Sequence, residues 1–225
     1  MIVIVKTSPN AETYRQQSQI LVPMDSPGVE IAGPMTVFGH DEAPHGHMHI
    51  RFTNVRVPEA NMLLGEGRGF EISQLRLGPG RIHHCMRLIG AAELAIDLGK
   101  NMETLGRWRV EVEAMRLMVL KAVRAMDVLG NKEVRIWVGT IKAMVPEKAV
   151  KIIDDAMQVH GATGVSQWSP LSSMYATQRV LRLADGLDEV HHHTVARAEV
   201  QSYKTSNERR ESSRQPQPGR IFTGP

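Results

Sequence analysis

Residues 110–160 read VEVEAMRLMVLKAVRAMDVLGNKEVRIWVGTIKAMVPEKAVKIIDDAMQVH, and no strand-like alternation survives across them. Over Val110–Leu129 the apolar residues Ala114, Leu117, Met118, Leu120, Ala122, Val123, Ala125 and Met126 fall on nearly every side of a helical wheel. That pattern predicts a helix buried between others. Gly130-Asn131 then supplies the residue types that close a helix. A further helix is expected from about Glu133 to His160, stopped by Gly161 and kinked at Pro146, where the ring removes a backbone donor. The centre of the chain is therefore helical.

Upstream, Gly78-Pro79-Gly80 punctuates the chain, and Arg81 to about Leu105 places Met86, Ile89, Leu94 and Leu98 near helical spacing. Downstream, a short segment at Leu171–Leu183 leads to a last helix from about Leu187 to Tyr203. The first 65 residues differ in kind. Ile2–Lys6, Gln19–Met24, Val29–Val37 and Met48–Val57 are β-rich runs separated by turn clusters such as Asp25-Ser26-Pro27-Gly28. The phase change at Thr53-Asn54 predicts a bulge or bend. The fold class is α+β: part of an antiparallel β-domain (1–65), then an antiparallel helical bundle (66–203). Residues 204–225 read as a disordered basic tail.

Composition agrees. Of 225 residues, 42% are hydrophobic and 23% charged, the balance of a chain that folds around a core. No apolar run approaches the ~18 residues that a membrane span needs, and Met1–Lys6 lacks the basic leader of a signal peptide. The net charge of +3 resides wholly in residues 201–225, where Lys204, Arg209, Arg210, Arg214 and Arg220 outnumber Glu208 and Glu211. The remainder is neutral, and no basic stretch is interleaved with aromatics, which argues against nucleic acid as a partner.

Few residues stand out for chemistry. His45, His47 and His49 would share one face of a strand, yet no carboxylate or thiol completes a metal set, and a polar edge explains them. His83-His84 and His191–His193 diverge around helices, so no metal site is expected. Cys85 excludes a disulfide scaffold and reads as a small buried hydrophobe. Asp185-Gly186-Leu187-Asp188-Glu189 fits a helix start with Asp185 as N-cap, or a general base in apolar surroundings. Gln158-Val159-His160-Gly161-Ala162-Thr163-Gly164 fits a helix stop, or a backbone open to a phosphate. Arg81 after the glycines could meet an anion at a helix start.

In order, these segments resemble one family. Val57-Pro58, NMLLGEGRGF at 61–70, GPGRIHHCMRLIG at 78–90, then Gln158, Gly161 and Gly164, and finally Tyr175, Arg179 and RLADG at 182–186 are similar to the acyl-CoA dehydrogenases. The match covers about Val3 to Tyr203 and is nearest the branch of family members 10 and 11. The resemblance implies FAD chemistry on an acyl-CoA thioester, with electron-transferring flavoprotein as acceptor, homo-oligomeric assembly and a place in mitochondrial or peroxisomal fatty acid β-oxidation. By position, Asp185 matches the catalytic carboxylate, usually Glu. Gly186 matches the thioester contact and Arg81 the arginine that meets CoA. Asp188 and Glu189 match the stretch beside FAD, and Gln158, Gly161 and Ala162 the loop that meets a neighbouring subunit's FAD, with Ala162 in place of the usual second glycine.

Against that family, the chain starts inside the β-domain, without the strand motif that cradles the flavin ring. It also lacks a stretch between Arg107 and Arg109 that carries Arg-x-x-Phe-Gly, so the two flanking helices are expected to fuse or mispack. The implied outcome is a truncated product that retains FAD poorly. The alternative is a non-catalytic helical fragment that associates with full-length subunits.

Overall fold

Strand β1 (Ile2–Lys6) pairs antiparallel with β2 (Gln17–Leu21), Ile4 lying opposite Gln19, in a computed structural model. It describes residues 1–99 and 102–214, with the side chains of Glu103 and 205–214 excepted. A second hairpin joins β3 (Val29–Met35) to β4 (His47–Phe52). Its register shift falls between Ile31 and Gly33, and the change expected at Thr53-Asn54 is a bend that follows the strand. There the strand has already ended, and Asn54 takes a left-handed φ of 51°. His47 and His49 lie exposed on β4, as a polar edge predicts.

The helices are α1 (Gly69–Asp97), α2 (Met102–Glu133), α3 (Arg135–His160), α4 (Ala162–Val165), α5 (Leu171–Val180) and α6 (Asp188–Arg214). Three departures from expectation matter. First, α1 runs straight through Gly78-Pro79-Gly80, so Arg81 lies mid-helix rather than at a helix start. Neighbouring α2 makes this feasible: Asn131 Nδ2 donates to the Gln74 carbonyl at 3.0 Å, and Asn131 fits only because Gly78 has no Cβ. Second, α1 and α2 do not fuse. Helix α1 ends at Asp97 and α2 begins at Met102, ahead of Arg107–Arg109, which sits inside α2. Third, α6 remains helical to Arg214, so the tail expected to be disordered from 204 is ordered backbone that far, and 215–225 lie outside the described residues.

α1 and α2 are antiparallel: Glu93 pairs with Arg109 and Arg116, while Gln74 meets Asn131. Pairs between Lys148 and Glu111 and between Arg107 and Asp155 set α3 antiparallel to α2. Trp108, Val112, Met115, Val119 and Ala122 form the buried stripe of α2, packed against Cys85, Leu88 and Ala92 of α1 and Ile141, Val145 and Ile152 of α3. Each large apolar side chain so buried contributes about 1.5–3 kcal/mol. The expectation that α2 is buried all round is corrected: Val110, Leu120 and Val128 are exposed, and Leu117 is 67% exposed. Helix ends fall as glycine chemistry requires. Gly130 breaks α2 at φ 79°, ψ 167°, and Gly161 stops α3 at φ 57°, ψ −137°.

Strand β2 and the chain just before α1 are tied to the start of α1 by side-chain hydrogen bonds. Gln19 Nε2 donates to the Gly69 carbonyl at 3.0 Å and to Ser73 Oγ at 2.8 Å, and the Gly67 N–H donates to Ser18 Oγ at 2.9 Å.

Candidate active site

The turn from Leu181 to Leu187 joins α5 to α6. Backbone N–H groups of Leu183 and Ala184 both donate to the Val180 carbonyl, winding the chain tightly before it reverses. Asp185 and Gly186 complete the reversal with φ of 59° and 114°. Left-handed backbone at a non-glycine residue is costly and persists only where neighbours hold it. Arg81 provides one hold: its Nε donates to the Asp185 carbonyl at 2.9 Å. Asp185 is therefore not the N-cap of α6, which begins three residues later. Its carboxylate, 26% exposed, faces α1 instead. Oδ2 lies 3.6 Å from His84 Nδ1, and 3.6 Å from where a Cβ on Gly80 would stand.

Beneath the turn lies a buried charge cluster. Lys142 of α3 is fully buried, and its Nζ donates to the Leu181 carbonyl. Pro146, one turn on, has no N–H to offer the Lys142 carbonyl, which therefore lacks its helical donor. Burial lowers the Lys142 pKa, opposed by Cys85, Asp185 and Asp188. Asp188 is buried too, and Arg182 Nε donates to its Oδ2 at 2.6 Å. Its other oxygen is buried without a partner. His191, buried on the first turn of α6, is pushed down to about 4 by burial and by the charges of Arg81 and Lys142, so it is neutral at physiological pH. Its ring packs under Gly186: a Cβ there would stand 2.8 Å from Nε2. Burial pushes the Cys85 thiol up to about 12, which leaves it an inert apolar group, as expected.

Of the residues singled out in the sequence, Arg81, Asp185, Gly186 and Asp188 converge on this turn. Glu189 sits beside Asp188 but points to solvent. Gln158, Gly161 and Ala162 do not join them. They lie exposed at the far end of α3, and the 16 residues from Lys142 to Gln158 span roughly 24 Å of helix. Arg81 is half-buried and mid-helix, and its Nε holds the Asp185 backbone.

His84, Lys142, Arg182 and His191 were not assigned from sequence. Lys142 did carry a signal, being the one charged residue between Ile136 and Val145. A groove of about 1550 Å³ opens between the 37–45 loop and the stretch from Val165 to Thr177, lined in part by His40, His45, His83, Arg87 and Trp168. Among the described residues, no set of three or more His, Cys, Asp or Glu is grouped to hold a metal ion, and no helix is long and apolar enough to cross a membrane.

Small antiparallel sheets joined to a helical bundle match acyl-CoA dehydrogenase-like folds. The solved structure of a protein named as an acyl-CoA dehydrogenase from Mycobacterium abscessus superposes with TM-score 0.86 at 40% identity, over 90% of this chain and 54% of that one. Residues 101–200 match the family described as acyl-CoA dehydrogenase, C-terminal domain. The chain belongs to the acyl-CoA dehydrogenase family. Its relatives include the Arabidopsis thaliana protein named probable acyl-CoA dehydrogenase IBR3, 49% identical over 89% of this chain. They also include mouse acyl-CoA dehydrogenase family member 10, 48% identical over 90% of this chain. The chain spans 27% and 21% of those relatives' lengths.

Proposed function

We propose that this chain carries the proton-abstracting half of a flavin-dependent acyl-CoA dehydrogenase, which converts an acyl-CoA thioester to its trans-2-enoyl form. The observation that carries the proposal is the Asp185 turn. A carboxylate is held in left-handed backbone by Arg81, partly open to solvent on one side and backed by a buried ammonium on the other. A base must be aimed and partly desolvated to take a carbon-bound proton, and this turn does both. Asp185 takes the α-proton, Gly186 meets the thioester through its backbone while the His191 ring packs beneath it, and Arg81 fixes the backbone from which the base projects.

The cofactor residues fit the flavin in part. Gly161 presents open backbone: it has φ 57°, and no atom lies within 4 Å of where a Cβ would be. A ligand can therefore approach the main chain closely there. Asp188, by contrast, faces inward to Arg182 and serves to hold the turn. When bound, FAD supplies the two-electron acceptor for the β-hydride. Gln158, Gly161 and Ala162 are the residues of this chain that would hold it. Their separation from Asp185 suits a site completed by a second copy, in line with homo-oligomeric assembly. Weak flavin retention by the isolated chain, electron-transferring flavoprotein as acceptor, and a mitochondrial or peroxisomal role in β-oxidation belong to the same proposal.

A second reading has its own support. The exposed apolar line of Val110, Leu117, Leu120 and Val128 on α2 suits a helical fragment that associates with full-length subunits without turning over substrate. One experiment separates the two: the purified chain is incubated with FAD and desalted, its visible spectrum and solution mass are recorded, and butyryl-CoA is added. A flavin band that bleaches with butyryl-CoA, and fails to bleach in Asp185→Asn, supports the enzyme. A colourless chain that co-purifies with a full-length relative supports the fragment.

A further inference from the structure

We infer that His84 is the proton-relay partner of Asp185, taking from its carboxyl group the proton abstracted from substrate and passing it to solvent. The inference rests on the proposed role of Asp185 as base. A carboxylate that has accepted an α-proton must lose it before it can act again, and when bound substrate covers its open side a second basic group within reach provides the route. The surroundings of Asp185 offer one. Its backbone carbonyl is taken by Arg81, and the Lys142 ammonium beneath is committed to the Leu181 carbonyl. His84 Nδ1, in contrast, is buried, makes no hydrogen bond, and lies 3.6 Å from Asp185 Oδ2. A few tenths of an ångström separate that distance from a hydrogen bond, a change that one side-chain adjustment supplies.

His84 is placed to accept and to release. Four groups face it: Asp185 from the α5–α6 turn, Lys142 from α3, and Arg87 and His83 from its own helix. Burial and the three basic neighbours hold its pKa below the ordinary histidine range, while the Asp185 charge alone opposes them. The ring is thus neutral when the site is ready. With its proton on Nε2, it offers the Nδ1 lone pair to the carboxyl group. In the transfer the Asp185 Oδ2–H bond breaks and an Nδ1–H bond forms. Carboxylic acid and imidazole become carboxylate and imidazolium, and no electrons change hands. The same burial and basic neighbours that lowered the pKa then favour loss of a ring proton to water, which the 18% exposed side chain reaches. His83, next in sequence but exposed on the other side of α1, has no such contact.

Two measurements test this. In the chain as it stands, NMR titration of the His84 ring should show its midpoint displaced to lower pH in Asp185→Asn, because the one group that favours the imidazolium has lost its charge. An unchanged midpoint would mean the two groups do not interact, and the relay is overturned. In the FAD-loaded chain, butyryl-CoA in D₂O reports α-hydrogen washout. His84→Phe should cut solvent deuterium incorporation by about a hundredfold, the low side of what a positioned proton-transfer group contributes. Added imidazole should restore part of the loss. Wild-type washout in His84→Phe overturns the relay while leaving Asp185 as base. Washout that persists in Asp185→Asn, or none by the wild-type chain, overturns the proposed base and the relay with it.

Discussion

Replacing Gly186 with alanine tests whether the candidate site is packed as described. Gly186 has a φ of 114°, and the added methyl would stand 2.8 Å from His191 Nε2 and 3.3 Å from Cε1. The ring cannot swing aside cheaply, since it is buried beneath the turn. Two costs therefore combine: about 1–3 kcal/mol for forcing a side chain into left-handed backbone, and about 1–3 kcal/mol for overpacking. Gly130→Ala isolates the first of these. Gly130 has a φ of 79°, and nothing lies within 4 Å of its would-be Cβ. The excess loss in Gly186→Ala is then about 2 kcal/mol, or roughly 4–8 °C in Tm for a chain of this size. Thermal unfolding followed by far-ultraviolet circular dichroism gives the comparison. An NMR titration of His191 in the same variant should show its midpoint rising from about 4 as the ring is pushed toward water. If Gly186→Ala unfolds no lower than Gly130→Ala, His191 does not sit beneath the turn and the buried cluster is misassigned.

Three further outcomes are expected. His191 is pushed down to about 4 from an ordinary 6.5, so between these values the unfolded chain binds the proton and the folded chain does not; stability should fall by about 3 kcal/mol as pH drops from 6.5 to 4, measured by urea unfolding, and His191→Asn should flatten the slope. Arg182→Met leaves the buried Asp188 carboxylate without its 2.6 Å partner and should cost about 3 kcal/mol, whereas the double variant with Asp188→Asn should recover much of that loss. The Cys85 thiol, buried and pushed up to about 12, should be silent to a thiol reagent in the native chain and react only at the rate of unfolding; fast native labelling would place it outside the core.

The helical half was legible because it is written in apolar spacing and glycine. Gly130 and Gly161 end α2 and α3 where sequence places the ends, since their backbone conformations exclude other residues. The start of α1 was not legible. Gly78-Pro79-Gly80 punctuates by local rules, but Asn131, 53 residues away in sequence, fills the space left by Gly78 and donates to the adjoining turn. The sidedness of α2 was also hidden, for an apolar residue shows that it can be buried and not that it is: Met115 is fully buried, and Leu117 lies exposed. In the site, Asp185 and Gly186 were legible by resemblance. His84 and His191 acquire their character from neighbours on other helices and carry no mark of burial in the sequence, whereas Lys142 is marked by its apolar flanks.

Helix α3 sets one further consequence. It carries Lys142 near one end and Gln158 at the other, with Pro146 fully buried between them. The proline removes a backbone hydrogen bond at that point, which makes it the weakest place along the rod. From Pro146 to Gln158 is roughly 18 Å, so a bend of about 10° there displaces the Gln158 loop by roughly 3 Å while the Asp185 turn stays in place. Any such bend would turn the helix into a lever with its fulcrum close to the Asp185 turn. A small repacking around Pro146 is thereby magnified at Gly161, and the spacing between the two groups of functional residues is governed by residues that belong to neither.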